Sequence, residues 1–142
     1  MKQVHAVREY MSKTAHTVGD EQPLSVAREM MRTHGVRHLP VLHGGKLVGV
    51  VSERDLAFIK AMANLDDQKT MVSEAMSTDV YAVAPETPLR TVAEDMATHK
   101  LGCAVVTVGT KVVGVFTTVD GMRALADFVD PSLATTTAER RA

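Results

Sequence analysis

A chain of 142 residues can bury one compact core, or two small cores that share an interface, without a disulfide or a metal to hold it together. Its 16 basic and 17 acidic residues give a net charge of −1, which argues against a protein that binds nucleic acid by neutralising many phosphates. The single cysteine, Cys103, suits a reducing cytoplasm, and no apolar run approaches the roughly 20 residues of a membrane helix. We therefore expect a cytoplasmic protein that binds neither nucleic acid nor membrane.

The first half of the chain predicts a small unit that mixes helices and strands. The predicted elements, in chain order, are a short helix over residues 4–11, an extended piece at 17–18, a helix from Pro23 to Gly35, a hairpin of strands 36–42 and 46–51, and a helix from Ser52. Gly44-Gly45 is the turn of the hairpin, and the polar residues 64–70 form a linker. Each element is of ordinary length for a compact domain.

The second half repeats the first after a shift of 65 residues. Residues 7–60 and 72–125 align without a gap and share 19 identities in 54 positions, which indicates an internal duplication. Two repeats are too few for a solenoid, so we expect a pseudo-two-fold unit. The boundaries predicted are 1–66 for the first repeat, 67–128 for the second, and 129–142 for a flexible C-terminal tail.

Each repeat carries the pattern Gly-x-x-[Ser/Thr]-x-x-Asp where a strand runs into a helix. Ser52 and Asp55, like Thr117 and Asp120, have the spacing of a capping box, which stabilises a helix start without any ligand. The same geometry favours a nucleotide, because a helix N-terminus attracts phosphate and a carboxylate accepts from ribose hydroxyls. The motif alone leaves both interpretations open.

The repeat resembles the CBS domain, named after cystathionine β-synthase, two of which in tandem form a Bateman module. The resemblance depends on the matching segments Glu21-Gln22-Pro23-Leu24 and Glu86-Thr87-Pro88-Leu89, on residues 36–41, and on the two Gly-x-x-[Ser/Thr]-x-x-Asp turns. It implies an α/β (α+β) fold of two β-α-β-β-α repeats, with small sheets packed face to face and helices outside. It also implies a stand-alone bacterial regulator, not an enzyme, which forms homodimers and needs no cofactor. Its ligand would be an adenine nucleotide (AMP, ADP or ATP) bound between the repeats, and any protein that it regulates stays unidentified.

The resemblance also implies which residues contact the ligand. Ser52, Asp55, Thr117 and Asp120 would contact phosphate and ribose. The adenine would lie between apolar walls, which the resemblance assigns to Thr17, Val18, Leu39, Pro40, Ala82, Val83, Ala104 and Val105.

The two repeats differ in the cations near their turns. The first repeat has Arg54 inside its motif and Arg37 and His38 at the start of a nearby strand, whereas the second has Val119 and Gly102-Cys103 at these positions. Because arginine binds phosphate with two hydrogen bonds, the sequence favours the first turn as the phosphate site and leaves the second for a nucleoside or for no ligand. A solvated Arg54 without any ligand is an equally good interpretation.

The remaining motifs indicate neither catalysis nor a metal. The chain has no Cys-x-x-Cys or His-Glu-x-x-His pattern, and the repeat-equivalent His34 and His99 are explained by their positions at helix ends. No nucleophile, base and orienting group form a set. An alternative function from a different class is a ligand-free module for dimerisation or protein interaction, in which both turns act only as helix caps.

Overall fold

The fold was analysed in a computed structural model, which describes residues 4–13 and 16–129. The first repeat contains β1 (Val18–Gly19), α1 (Leu24–His34), β2 (His38–His43), β3 (Lys46–Ser52) and α2 (Glu53–Ala63). The second contains β4 (Ala82–Val83), α3 (Leu89–His99), β5 (Cys103–Val108), β6 (Lys111–Thr117) and α4 (Thr118–Phe128). The predicted α+β fold of two β-α-β-β-α repeats is confirmed.

Each repeat builds one three-stranded mixed sheet. The strand orders are β1-β2-β3 and β4-β5-β6, with the short first strand parallel to the second strand and the last two strands forming an antiparallel hairpin. The hairpin turn at Gly44-Gly45 has positive φ at both residues (56° and 81°), which explains why glycine occupies both. Helix α1 ends at Gly35 in the left-handed conformation, as the sequence predicts.

Each repeat also has its own hydrophobic core, completed by one fully buried residue from the other repeat and by partly buried residues beside it. The first core contains Leu24, Leu39 and Val51 together with Val72, which lies in a 3₁₀ turn at Val72–Glu74 near the start of the second repeat. The second core contains Phe116 and other apolar residues of its own repeat together with Val7, which lies in the equivalent turn at the start of the chain. The two halves therefore exchange their leading segments.

The exchange is fixed by backbone hydrogen bonds on both sides of the pseudo-two-fold. Ser12 and Val115 exchange N–H···O bonds of 2.9 and 3.1 Å, and Val50 and Ser77 exchange two of 2.9 Å. The strand residue next to each bridge is a glycine, where a Cβ would lie 2.7 Å from Ser77 O at Gly49 and 2.8 Å from Ser12 O at Gly114. The two glycines thus let the repeats approach closely.

The prediction of a helix over residues 4–11 is wrong. Only Val7–Glu9 forms a 3₁₀ turn, because Ser12 must continue as extended chain to bridge to Val115. The predicted tail lies outside the described residues, apart from Val129. Among the helices of the described residues, none is long and apolar enough to cross a membrane.

Candidate functional site

Both predicted capping boxes are present. Ser52 Oγ accepts from the Asp55 N–H at 3.0 Å, and Asp55 Oδ2 accepts from the Ser52 N–H at 2.9 Å. In the second repeat, Asp120 Oδ2 accepts from the Thr117 N–H at 2.9 Å and from the Thr117 hydroxyl at 3.2 Å. The structural interpretation of the motif is therefore confirmed at both turns, and a role in ligand binding depends on what else surrounds them.

The turn of the second repeat opens into a cleft of about 570 Å³, referred to here as the larger cleft. The second repeat contributes Val115, Thr117, Asp120 and Arg123 to its lining. The first repeat contributes Ser12, His16, His34, Val36, Arg37 and His38. The larger cleft is thus built from the turn of one repeat and the strand entry of the other.

The turn of the first repeat opens into a second cleft of about 160 Å³, referred to as the smaller cleft. It is lined by Ser52 and Asp55 from the first repeat, and by Asp79, Tyr81, Leu101, Gly102 and Cys103 from the second. His38 lines both clefts. In the smaller cleft, therefore, the first repeat supplies the turn and the second repeat supplies the start of its strand β5.

This crossed arrangement separates residues that the sequence analysis had grouped together. Arg37 had been assigned to the first turn, but its side chain lines the larger cleft with Thr117 and Asp120. Arg54 is exposed and is not among the residues that line either cleft. The physical reason is that the start of β2 lies between the two caps. The Arg37 carbonyl accepts from the Glu53 N–H of its own turn at 2.8 Å, while Arg37 also lines the cleft of the opposite turn, which an alignment of the repeats does not reveal.

The residues predicted as adenine walls do not line either cleft. Val18 and Leu39 are buried in the first core and Ala104 in the second, Pro40 and Val105 are buried strand residues, and none of them lines either cleft. The other three, Thr17, Ala82 and Val83, do not line the two clefts either. The apolar lining comes from Val36, Val115 and Val119 in the larger cleft and from Val50, Val80 and Leu101 in the smaller one.

Asp120 is the most buried charged residue among those described, with 5% of its surface exposed. Its Oδ1 lies 3.3 Å from Arg123 Nη1, one turn further along α4, and its Oδ2 accepts the cap hydrogen bonds. A buried carboxylate needs such partners because its desolvation is costly. Arg123 is not among the residues predicted from the sequence, although its i, i+3 spacing from Asp120 indicates that the two side chains can meet on one helix face.

Three histidines of the first repeat, His16, His34 and His38, line the larger cleft. The rings of His16 and His34 stack with centroids 3.6 Å apart and an interplanar angle of 9°. Burial lowers the pKa of His38, an effect that the Asp55 carboxylate opposes and the Arg37 guanidinium reinforces. Burial thus favours the neutral form of His38. Its Nε2 would lie 2.9 Å from a Cβ at Gly102, so the His38 ring occupies space that a side chain there would need.

In the smaller cleft the thiol of Cys103 and the hydroxyl of Tyr81 are held in their protonated forms. Burial, and secondarily the Asp55 carboxylate, raises the pKa of the Cys103 thiol to about 11. Burial and a 2.6 Å hydrogen bond to Asp95 raise the pKa of Tyr81 to about 12. Cys103 is thus an unreactive thiol at neutral pH, as its apolar sequence context predicts.

One further cluster lies away from both clefts. Ligand atoms of Asp20, Glu21 and His43 lie within 4.8 Å of one another, and His43 Nδ1 is 3.0 Å from the Asp20 carboxylate. The hydrogen bond to Asp20 raises the pKa of His43, so an exposed ion pair accounts for the cluster.

A model of the CBS domain matches the chain twice, at residues 7–61 and 72–127. The chain belongs to the CBS domain family. Among its relatives is the CBS domain-containing protein YhcV of Bacillus subtilis, which is 32% identical over 96 residues, or 68% of either chain.

Solved CBS structures have the same fold. AcuB of Vibrio cholerae is 30% identical, with a TM-score of 0.80 over 94% of this chain and 99% of its own. The CBS domain pair of protein MJ0100, in complex with 5′-methylthioadenosine and S-adenosyl-L-methionine, is 26% identical, with a TM-score of 0.78 over 87% of this chain and 97% of its own.

Proposed function

We propose that this CBS pair is a regulatory module without catalytic activity, which binds an adenine nucleotide of the AMP, ADP or ATP class in the larger cleft. The observation that carries the proposal is the meeting of a buried, capped carboxylate, Asp120, with two arginines, Arg37 and Arg123, in one cavity between the repeats. A cavity of about 570 Å³ is within the range of small-molecule sites. The adenosyl ligands of the MJ0100 pair support the adenosine half of this assignment.

Each part of a nucleotide has a chemically suitable counterpart in the larger cleft. The α4 N-terminus and the arginines favour phosphate, and the Asp120 carboxylate can accept from ribose hydroxyls. Val36 and Val115 supply an apolar surface for the base, with the stacked His16 and His34 rings at the same cleft. Because the lining comes from both repeats, a bound nucleotide would favour one arrangement of the repeats over others, which is how a ligand can regulate.

The test is calorimetry and thermal unfolding of the full chain with AMP, ADP and ATP, with GMP as the base control. We expect AMP to release or absorb heat saturably and to raise the midpoint of unfolding, and GMP to bind more weakly. The absence of heat and of any thermal shift at millimolar adenine nucleotide would refute the proposal.

A ligand-free dimerisation module is the second candidate, and a specific observation favours self-association. Helices α2 and α4 expose large apolar side chains, with Phe58 66%, Met62 71% and Met122 63% exposed. Exposed apolar groups of this size on repeat-equivalent helices are typical of an interface, and we propose a homodimer through them. Sedimentation of Phe58→Glu should give a monomer where the unchanged chain gives a dimer, and an unchanged chain that sediments as a monomer would contradict this proposal.

A further inference from the structure

The two arginines of the larger cleft come from different repeats. Arg37 directly precedes β2 of the first repeat, and Arg123 lies on α4 of the second. At the equivalent positions 65 residues away, the chain has Gly102 beside the smaller cleft and an exposed Phe58 on α2. The duplication thus supplies an internal control in which both cations are absent.

The charges lining the two clefts have opposite signs. The larger cleft has Arg37, Arg123 and Asp120, which is two positive charges and one negative, or +1 when the histidines are neutral. The smaller cleft has Asp55 and Asp79 without an arginine or lysine, or −2 on the same basis. A phosphate is therefore attracted to the larger cleft and repelled from the smaller one.

The volumes lead to the same distinction. The smaller cleft has about 160 Å³ against about 570 Å³ for the larger one. Its lining includes His38, whose Nε2 would lie 2.9 Å from a Cβ at Gly102. A side chain at position 102, which is equivalent to Arg37 in the first repeat, would therefore meet the His38 ring. Size and charge together disfavour a second nucleotide at the first turn.

We infer that Arg37 and Arg123 form a phosphate clamp across the two repeats, which makes the larger cleft selective for a nucleoside 5′-phosphate over unphosphorylated adenosyl compounds. The inference rests on the proposed function and adds the ligand class, the residues that select it and a stoichiometry of one nucleotide per chain. Arg123 also lies 3.3 Å from Asp120, so it positions the carboxylate beside the phosphate. Because the clamp joins both repeats, the phosphate ties them together in a way that a nucleoside does not.

The experiment compares AMP with adenosine by calorimetry on the unchanged full chain. We expect one AMP per chain, with adenosine bound about 100-fold more weakly, since two charge-assisted hydrogen-bonding groups are lost. AMP affinity should fall as the salt concentration rises, whereas adenosine affinity should not, because only the phosphate is charged.

Two variants identify the clamp. Arg37→Gln should weaken AMP about 10-fold or more and leave adenosine affinity unchanged. Arg123→Gln should weaken AMP by more than it weakens adenosine, because Arg123 also contacts the carboxylate proposed to bind ribose. Glutamine suits position 123 because its amide can still donate to Asp120 and so preserve the turn. Arg54→Gln is the matched control, an exposed arginine of the other turn, and should leave AMP affinity unchanged.

The outcomes separate the inference from the proposed function. If AMP and adenosine bind equally well, or if Arg54→Gln weakens AMP while Arg37→Gln does not, the clamp is refuted although the module still binds adenosyl ligands. Two AMP molecules per chain would likewise overturn it. If neither compound binds, the proposed function and the clamp fail together.

Discussion

The larger and the smaller cleft have the same construction but different chemistry. In both, the helix cap of one repeat faces the strand entry of the other, so the backbone geometry is shared. The side chains differ: Arg37 stands opposite the cap in the larger cleft, where Gly102 stands in the smaller. A duplicated fold can thus keep its caps for stability in both halves while one cleft alone acquires the charges suited to phosphate.

The largest effect should come from replacing the cap carboxylates one at a time. Asp120→Ala should weaken AMP about 10- to 100-fold and lower the free energy of unfolding by about 1–2 kcal/mol, because it removes both a ribose acceptor and a helix cap. Asp55→Ala should lower the free energy of unfolding by about 1 kcal/mol and leave AMP affinity unchanged. Calorimetry and urea unfolding measure the two quantities, and equal losses of affinity in both variants would remove the distinction between the clefts.

A smaller effect, confined to stability, should follow from adding a side chain at Gly114, where the two repeats are in close contact. Gly114→Ala places a Cβ 2.5 Å from Met11 Sδ and 2.8 Å from Ser12 O, and the backbone oxygen cannot move without disturbing the bridge to Val115. We expect a loss of about 1–3 kcal/mol in urea unfolding.

Gly121→Ala is the matched control for that variant. Its Cβ would meet Phe116 Cζ at an ordinary 3.7 Å within α4, so the variant should gain up to about 1 kcal/mol in helix propensity. A Gly114→Ala protein as stable as the unchanged chain would show that the repeats are not in close contact there.

The smallest effect concerns Cys103 in the smaller cleft. Because burial raises its pKa to about 11, the thiol is protonated at pH 8, and alkylation by iodoacetamide should be slow and rise with pH up to that value. Saturating AMP should not change the rate, since the nucleotide occupies the other cleft. Mass spectrometry after timed quenching measures both, and protection of Cys103 by AMP would place the ligand in the smaller cleft.

The sequence predicted what local chemistry determines. The capping boxes, the end of α1 at Gly35 and the hairpin at Gly44-Gly45 all follow from residues close together in the chain, and the 65-residue repeat predicted the two-fold architecture. The crossing of the clefts could not be predicted, because an alignment of the repeats compares equivalent positions and contains no information on which positions meet.

The differences between the predicted site residues and the residues that line the clefts have the same origin. Arg37 was grouped with Ser52 because the two lie on one hairpin, yet the Arg37 side chain lines the cleft of the opposite turn. The resemblance to the CBS domain places Leu39 and Ala104 at the adenine slot, whereas in the structure their side chains are buried in the cores of their own repeats. His43 and Asp20 meet only because β1 and β2 are neighbours in the sheet.

The exchange of Val7 and Val72 between the cores has a consequence for cooperativity. Either repeat on its own lacks a fully buried side chain of its core and the partly buried side chains beside it, so we expect that the two halves do not melt one after the other in the manner of independent domains. Heating should give a single calorimetric transition. If the backbone is cleaved once between residues 64 and 70, the two fragments should stay associated and elute together in gel filtration until both unfold. Any ligand that stabilises one half then stabilises the whole chain by the same free energy.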